Sequence, residues 1–187
     1  MRAEKSYGVS SFAPADDNHF EIRLSMSASV APGSDQVDVQ FRELPVALFS
    51  LVSQYNDELL REFRLILADK TNTTHEVSAP LMRIIEEMSR EFTAFVRPVR
   101  AAVESAIDQQ LEQTNLVLPF PSAMRDWVQE FAHQFSEADR YCEAGKLLTL
   151  PAAPEIIAFR AWFLGQLLAQ LDGAAPTSWT QYLLENP

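Results

Sequence analysis

A single cysteine, Cys142, leaves no partner for an internal disulfide. No charged-then-apolar signal segment opens the chain, so a reducing cytoplasm is the expected compartment. Glycine is scarce as well: Gly8, Gly33, Gly145, Gly165 and Gly173 stand singly. Phosphate loops need glycines close together so that backbone N–H groups converge on an anion, which excludes a Walker or dinucleotide loop. Positive charge is short too, with 15 Lys and Arg against 26 Asp and Glu and a net charge of −11. Such a chain repels polyanions and has few cations to displace counterions, so non-specific nucleic-acid binding is excluded, as is docking on an anionic membrane by charge alone. Long apolar runs are missing. The most apolar stretch, Ile156 to Leu171, carries Arg160, Gln166 and Gln170 and is too short and too polar to span a bilayer.

Nearly half of the 187 residues are hydrophobic, enough for one domain with a sizeable core. Residues 1–18 mix Ser, Ala, Asp and Pro without periodicity and read as a flexible lead. Phe20, Ile22, Leu24 and Met26 then alternate with polar residues, and the alternation resumes at Val37, Val39 and Phe41 beyond a Pro-Gly-Ser-Asp turn. That pattern predicts a β-hairpin, which is marginal alone and should pack on helices or gain a third strand from Leu116–Phe120.

Four amphipathic stripes follow. About 100° per residue gathers Leu48, Val52, Leu59, Phe63 and Ile66 on a helix from about Pro45 to Asp69. A second helix starts near Ser78-Ala79-Pro80 and keeps Leu81, Ile85, Met88, Phe92, Val99, Val103 and Ala106 in phase across Pro98 to about Gln110, as one kinked helix. A third, from about Ser122 to Glu143, aligns Met124, Val128, Phe131, Phe135, Ala138 and Cys142 before Gly145. The fourth runs from Pro154 to Gly173. The expected fold is mainly α (α+β), a four-helix bundle with a small N-terminal antiparallel β-hairpin or three-stranded sheet. One domain spans 19–175. The tail, 176–187, places Trp179, Tyr182 and Leu183 at helical spacing, as a short turn docked on the body or on a partner.

Chemistry is thinly represented. Glu130-Phe131-Ala132-His133 has the Glu-x-x-His spacing of di-metal bundles, but no second copy involves His19 or His75, and His133 falls opposite the apolar stripe. Cys142 lies on that stripe, as a small core residue rather than a nucleophile. No metal or cofactor is expected. Arg83, Arg90, Arg97 and Arg100 line one face of the second helix, either as a solvated face with ion pairs or as a guanidinium row for an acidic partner. The sharpest oddity is Arg160, placed amid Ile156, Phe163, Leu164 and Leu167. A guanidinium there must snorkel or meet a carboxylate, since an unpaired buried charge costs on the order of 3–5 kcal/mol. Glu62 is the predicted mate, with Asn56 and Tyr55 beside it, in a polar network between the first and fourth helices that serves as a structural tie or a ligand pocket.

The run Tyr55-Asn56-Asp57-Glu58-Leu59-Leu60-Arg61-Glu62-Phe63-Arg64-Leu65-Ile66 resembles the first-helix signature of an uncharacterised group of actinobacterial proteins. So does the block from Ala138-Asp139 through Cys142, Leu147-Leu148-Thr149-Leu150-Pro151 and Arg160-Ala161-Trp162-Phe163-Leu164-Gly165 to Ala174-Ala175-Pro176 and Trp179. The resemblance covers roughly 37–180. It implies association with anti-sigma-factor-type ATPases and a role in partner-switching signalling, and it carries over no catalytic residue. This chain lacks the glycine-rich features of those ATPases, so it would be an accessory component. The expected function is therefore a non-catalytic cytoplasmic regulatory module whose partner is a protein, such as an anti-sigma-factor-type ATPase. Its contact surfaces would be the arginine face and the aromatic tail. The alternative is a small-molecule sensor or enzyme using an inter-helical pocket near Arg160 and Glu62. A homodimer stays open, because a stripe facing a second subunit looks the same as one facing a core.

Overall fold

The computed structural model of the protein describes residues 21–23, 35–68 and 79–187. The lead at 1–18 and the turn before Asp35 lie outside them. In chain order come β1 (Glu21–Arg23), β2 (Gln36–Pro45), α1 (Val46–Ala68), α2 (Ala79–Asp108), β3 (Gln113–Pro121), a 3-10 turn (Ser122–Met124), α3 (Arg125–Glu143), α4 (Pro154–Leu171) and α5 (Trp179–Glu185). The fold is mainly helical with a small sheet, as the periodicity predicts.

The sheet takes the three-stranded form, in the order β1-β3-β2. The two N-terminal strands are thus not neighbours; β3 lies between them, parallel to β1 and antiparallel to β2. The residues explain the order. Strand β2 alternates, so one face is buried, whereas β3 buries Leu116, Val117 and Leu118 in succession and needs cover on both faces, as a central strand does. Pro119 cannot donate to a ladder, and the described pairs with β1 stop at Val117, short of it.

A bulge between Phe41 and Leu44 corrects the phase of β2. Strict alternation after Val39 and Phe41 would send Glu43 to the core. The extra residue puts Leu44 there instead, fully buried opposite Thr114. Glu43 takes φ 56° at the bulge, and its N–H donates to Oδ1 of Asn115 at 2.8 Å.

The described residues divide into two compact units, each drawn from several stretches of chain. The sheet unit combines the strands with the chain from Pro98 to Arg125 and from Gln166 to Pro187, and so includes the 176–187 tail. The helix unit, Ala47–Arg97 and Asp126–Gly165, holds most of α1, α3 and α4 and the first part of α2. Helices α2 and α4 each supply residues to both units. Their stripes keep phase across the boundary, at Arg97/Pro98 and Gly165/Gln166, and periodicity carries no mark of it.

Within the helix unit the core is aromatic. Phe159 packs at 6.1 Å from Phe49, 5.6 Å from Trp162 and 5.9 Å from Phe163, centroid to centroid, while Phe131 lies between Trp127 and Phe135. Gly145, at φ 64°, ends α3 by donating to the Cys142 carbonyl while Lys146 N–H reaches Tyr141, a Schellman closure. Helix α2 closes in the same way, but with Gln110 at φ 57° where glycine is usual.

Candidate functional site

Arg160 is buried on α4, as its neighbours on the helical wheel require, and it does find a carboxylate. The mate is Asp139 on α3, not Glu62. Arg160 Nη2 donates to Asp139 Oδ2 at 2.5 Å, with side chains only 8 % and 14 % exposed. The guanidinium carbon also lies 4.8 Å from the Phe135 ring centroid and 5.6 Å from that of Tyr55. Cation–π attraction on two aromatic faces recovers part of the desolvation cost of burying the charge. The predicted pair fails for a local reason: Glu62 is already committed. The clue to Asp139 was in the third helix, where position 139 lies one turn beyond Phe135 and three residues before Cys142, on the buried side.

Glu62 holds a loop. Its Oε1 accepts from the Leu148 N–H at 2.6 Å, and its Oε2 accepts from the Thr149 N–H at 2.7 Å and the Thr149 hydroxyl at 2.6 Å. Tyr55 adds a fourth tie by donating to the Leu150 carbonyl at 3.0 Å. Two side chains from α1 thus pin the α3–α4 connection by its backbone. What the connection shows to solvent is apolar: Leu148 is 90 % exposed and Leu150 77 %. Leu147, by contrast, is buried.

The Tyr55 oxygen also lies 3.9 Å from Cys142 Sγ. Burial, first of all, pushes the pKa of both groups up; the nearby Asp139 adds to the rise, and Arg160 opposes it. Cys142 is therefore a neutral core thiol at neutral pH. Asn56 is buried nearby in sequence, but its Oδ1 has no hydrogen-bond partner among the described residues, so that oxygen does not join the network.

The expected contact surfaces are only partly displayed. Arg83 and Arg97 are exposed, Arg100 is half-buried, and the side chain of Arg90 lies outside the described residues. Half-burial removes Arg100 from an open guanidinium row. Trp179 is buried and stacks on the half-buried Tyr182 at 5.8 Å, on a helix that packs against β2. The tail is thus docked within the chain, and Trp179 is not a solvent-facing anchor. His133 is exposed, and among the described residues no three His, Cys, Asp or Glu side chains gather as a metal site. No described helix is long and apolar enough to cross a membrane.

The sheet unit holds a second polar construction that periodicity did not reveal. The Gln170 amide exchanges two 2.8 Å hydrogen bonds with the backbone of Gln40, accepting from its N–H and donating to its C=O. These are the bonds a neighbouring strand would make, so a side chain caps the free edge of β2. One turn back, Gln166 accepts from the Thr177 N–H at 2.7 Å. Between β2, β3 and the segment before α5 lies an open cleft of about 570 Å³.

Comparison with known proteins finds no matching family model, no matching curated protein and no matching solved structure.

Proposed function

We propose that the chain is a non-catalytic regulatory module that binds another protein through the Leu147–Pro151 loop. The supporting observation is the combination of display and restraint: two leucines almost bare to solvent, on a backbone tied down by Glu62 and Tyr55. An exposed leucine held in place loses little entropy when a partner covers it, and burying each one contributes about 1.5–3 kcal/mol. Arg83 and Arg97 of α2 are exposed guanidiniums that would favour an acidic partner.

The resemblance noted above suggests an anti-sigma-factor-type ATPase as the partner, in cytoplasmic partner-switching signalling. A ligand pocket about Arg160 has less support, because Glu62 and Tyr55 are tied to the loop backbone and Arg160 is paired with Asp139. The test is calorimetric binding of the full chain to such an ATPase. Leu148→Asp should abolish binding, and Glu62→Ala, which leaves both leucines in place, should weaken it by about tenfold through lost preorganisation. Binding that ignores Leu148→Asp, or no heat of binding at all, would count against the reading.

A further inference from the structure

We infer that the cleft in the sheet unit is a binding site for a small organic carboxylate. Its walls are fixed from behind by one helix: Gln170 holds the backbone of β2 at Gln40, and Gln166 holds the opposite wall at Thr177. Both glutamines are buried, so their bonds are shielded from competing water.

The chemistry of the lining follows from where its oxygens are already spent. Asn115 Oδ1 accepts from the Glu43 N–H, Gln40 Oε1 accepts from Arg42 Nη2 at 3.1 Å, and Ser178 Oγ accepts from the Gln181 N–H at 3.2 Å. Backbone N–H and guanidinium groups can only donate, which fixes the orientation of each side chain. Each oxygen keeps a second lone pair, and these bonds leave the amide N–H groups of Asn115 and Gln40 and the O–H of Ser178 as the donors for a ligand. The exposed guanidinium of Arg42 adds a positive charge on the same lining. Glu43 is the acidic group among these residues, and its Oε2 is shielded from solvent.

The Arg42 guanidinium beside the amide N–H groups of Gln40 and Asn115 suits an acceptor-rich anion held away from Glu43, and a planar carboxylate matches the guanidinium fork. Val117 and Pro176 supply apolar surface for the body of the acid. The volume is of the size that small-molecule sites take. The cleft belongs to the sheet unit and the leucine loop to the helix unit, and the experiment needs no protein partner.

The probe is phenylacetate, titrated into the full chain while the side-chain amide resonances of Gln40 and Asn115 are followed by nuclear magnetic resonance. Saturable shifts of both are expected, with the uncharged isostere phenylacetamide binding at least about tenfold more weakly. Arg42→Gln, at an exposed position, should weaken phenylacetate by about tenfold and phenylacetamide by clearly less. An acetylated dipeptide with a free C-terminus separates the sources of the acid: tighter binding than phenylacetate assigns the site to a peptide end, weaker binding to a free acid. Either result supports carboxylate recognition. Equal binding of acid and amide, a response indifferent to Arg42→Gln, or no shift at saturating phenylacetate overturns the proposal.

Discussion

Arg160 and Asp139 join α4 to α3 through one short hydrogen bond, while Arg160 Nη1 and Asp139 Oδ1 are buried with no hydrogen-bond partner among the described residues. A buried pair satisfied on one side only is costly to break and of little net worth to keep. Asp139→Ala should therefore destabilise by about 3–5 kcal/mol in urea unfolding, because it strands the guanidinium. The double variant Asp139→Leu with Arg160→Leu should recover most of that loss, and near wild-type stability would show that the pair specifies the helix arrangement more than it stabilises it.

Gln170→Ala should lower stability by about 2–3 kcal/mol, since the half-buried N–H and C=O of Gln40 lose the amide that serves both. It should also open the β2 edge. Light scattering at high protein concentration should then show self-association that wild type lacks. Gln170→Glu can still accept from the N–H but sets an oxygen against the Gln40 carbonyl, so its loss of stability should match or exceed that of alanine.

The raised pKa of Cys142 sets a sign for alkaline behaviour. Burial disfavours the thiolate in the folded state, so stability is intact below the unfolded thiol's value of about 8.5 and declines as pH rises from there towards the folded value. Tyr55, raised in the same way, extends the decline above about pH 10. Urea midpoints measured from pH 7 to 10 should fall for wild type and fall less steeply for Cys142→Ala. A thiol reagent should label native Cys142 only slowly at pH 7.

Gln110 occupies a left-handed cap position with a side chain that disfavours it. Gln110→Gly should stabilise the protein by up to about 1 kcal/mol, read as a higher denaturation midpoint with an unchanged slope.

The helices were legible to within a residue or two at most ends, because a stripe at helical spacing has one compact solution and Gly145 and Gly173 mark its stops. The burial of Arg160 was legible for the same reason. Its mate was not. Glu62 and Asp139 both lie on buried sides of their helices, and what tells them apart is that Glu62 accepts from the loop amides of Leu148 and Thr149. Trp179 shows the same limit: its spacing marks an amphipathic turn, but its burial against β2 depends on a strand far away in sequence.

Sequence alone determined that the chain is mainly helical and that a charge sits inside it, since these follow from local periodicity and composition. Tertiary structure alone decided the strand order, the Arg160–Asp139 pair, the Glu62 clamp and the Gln170 cap. Each of those is a competition between several chemically adequate partners, and only proximity in the folded chain selects one.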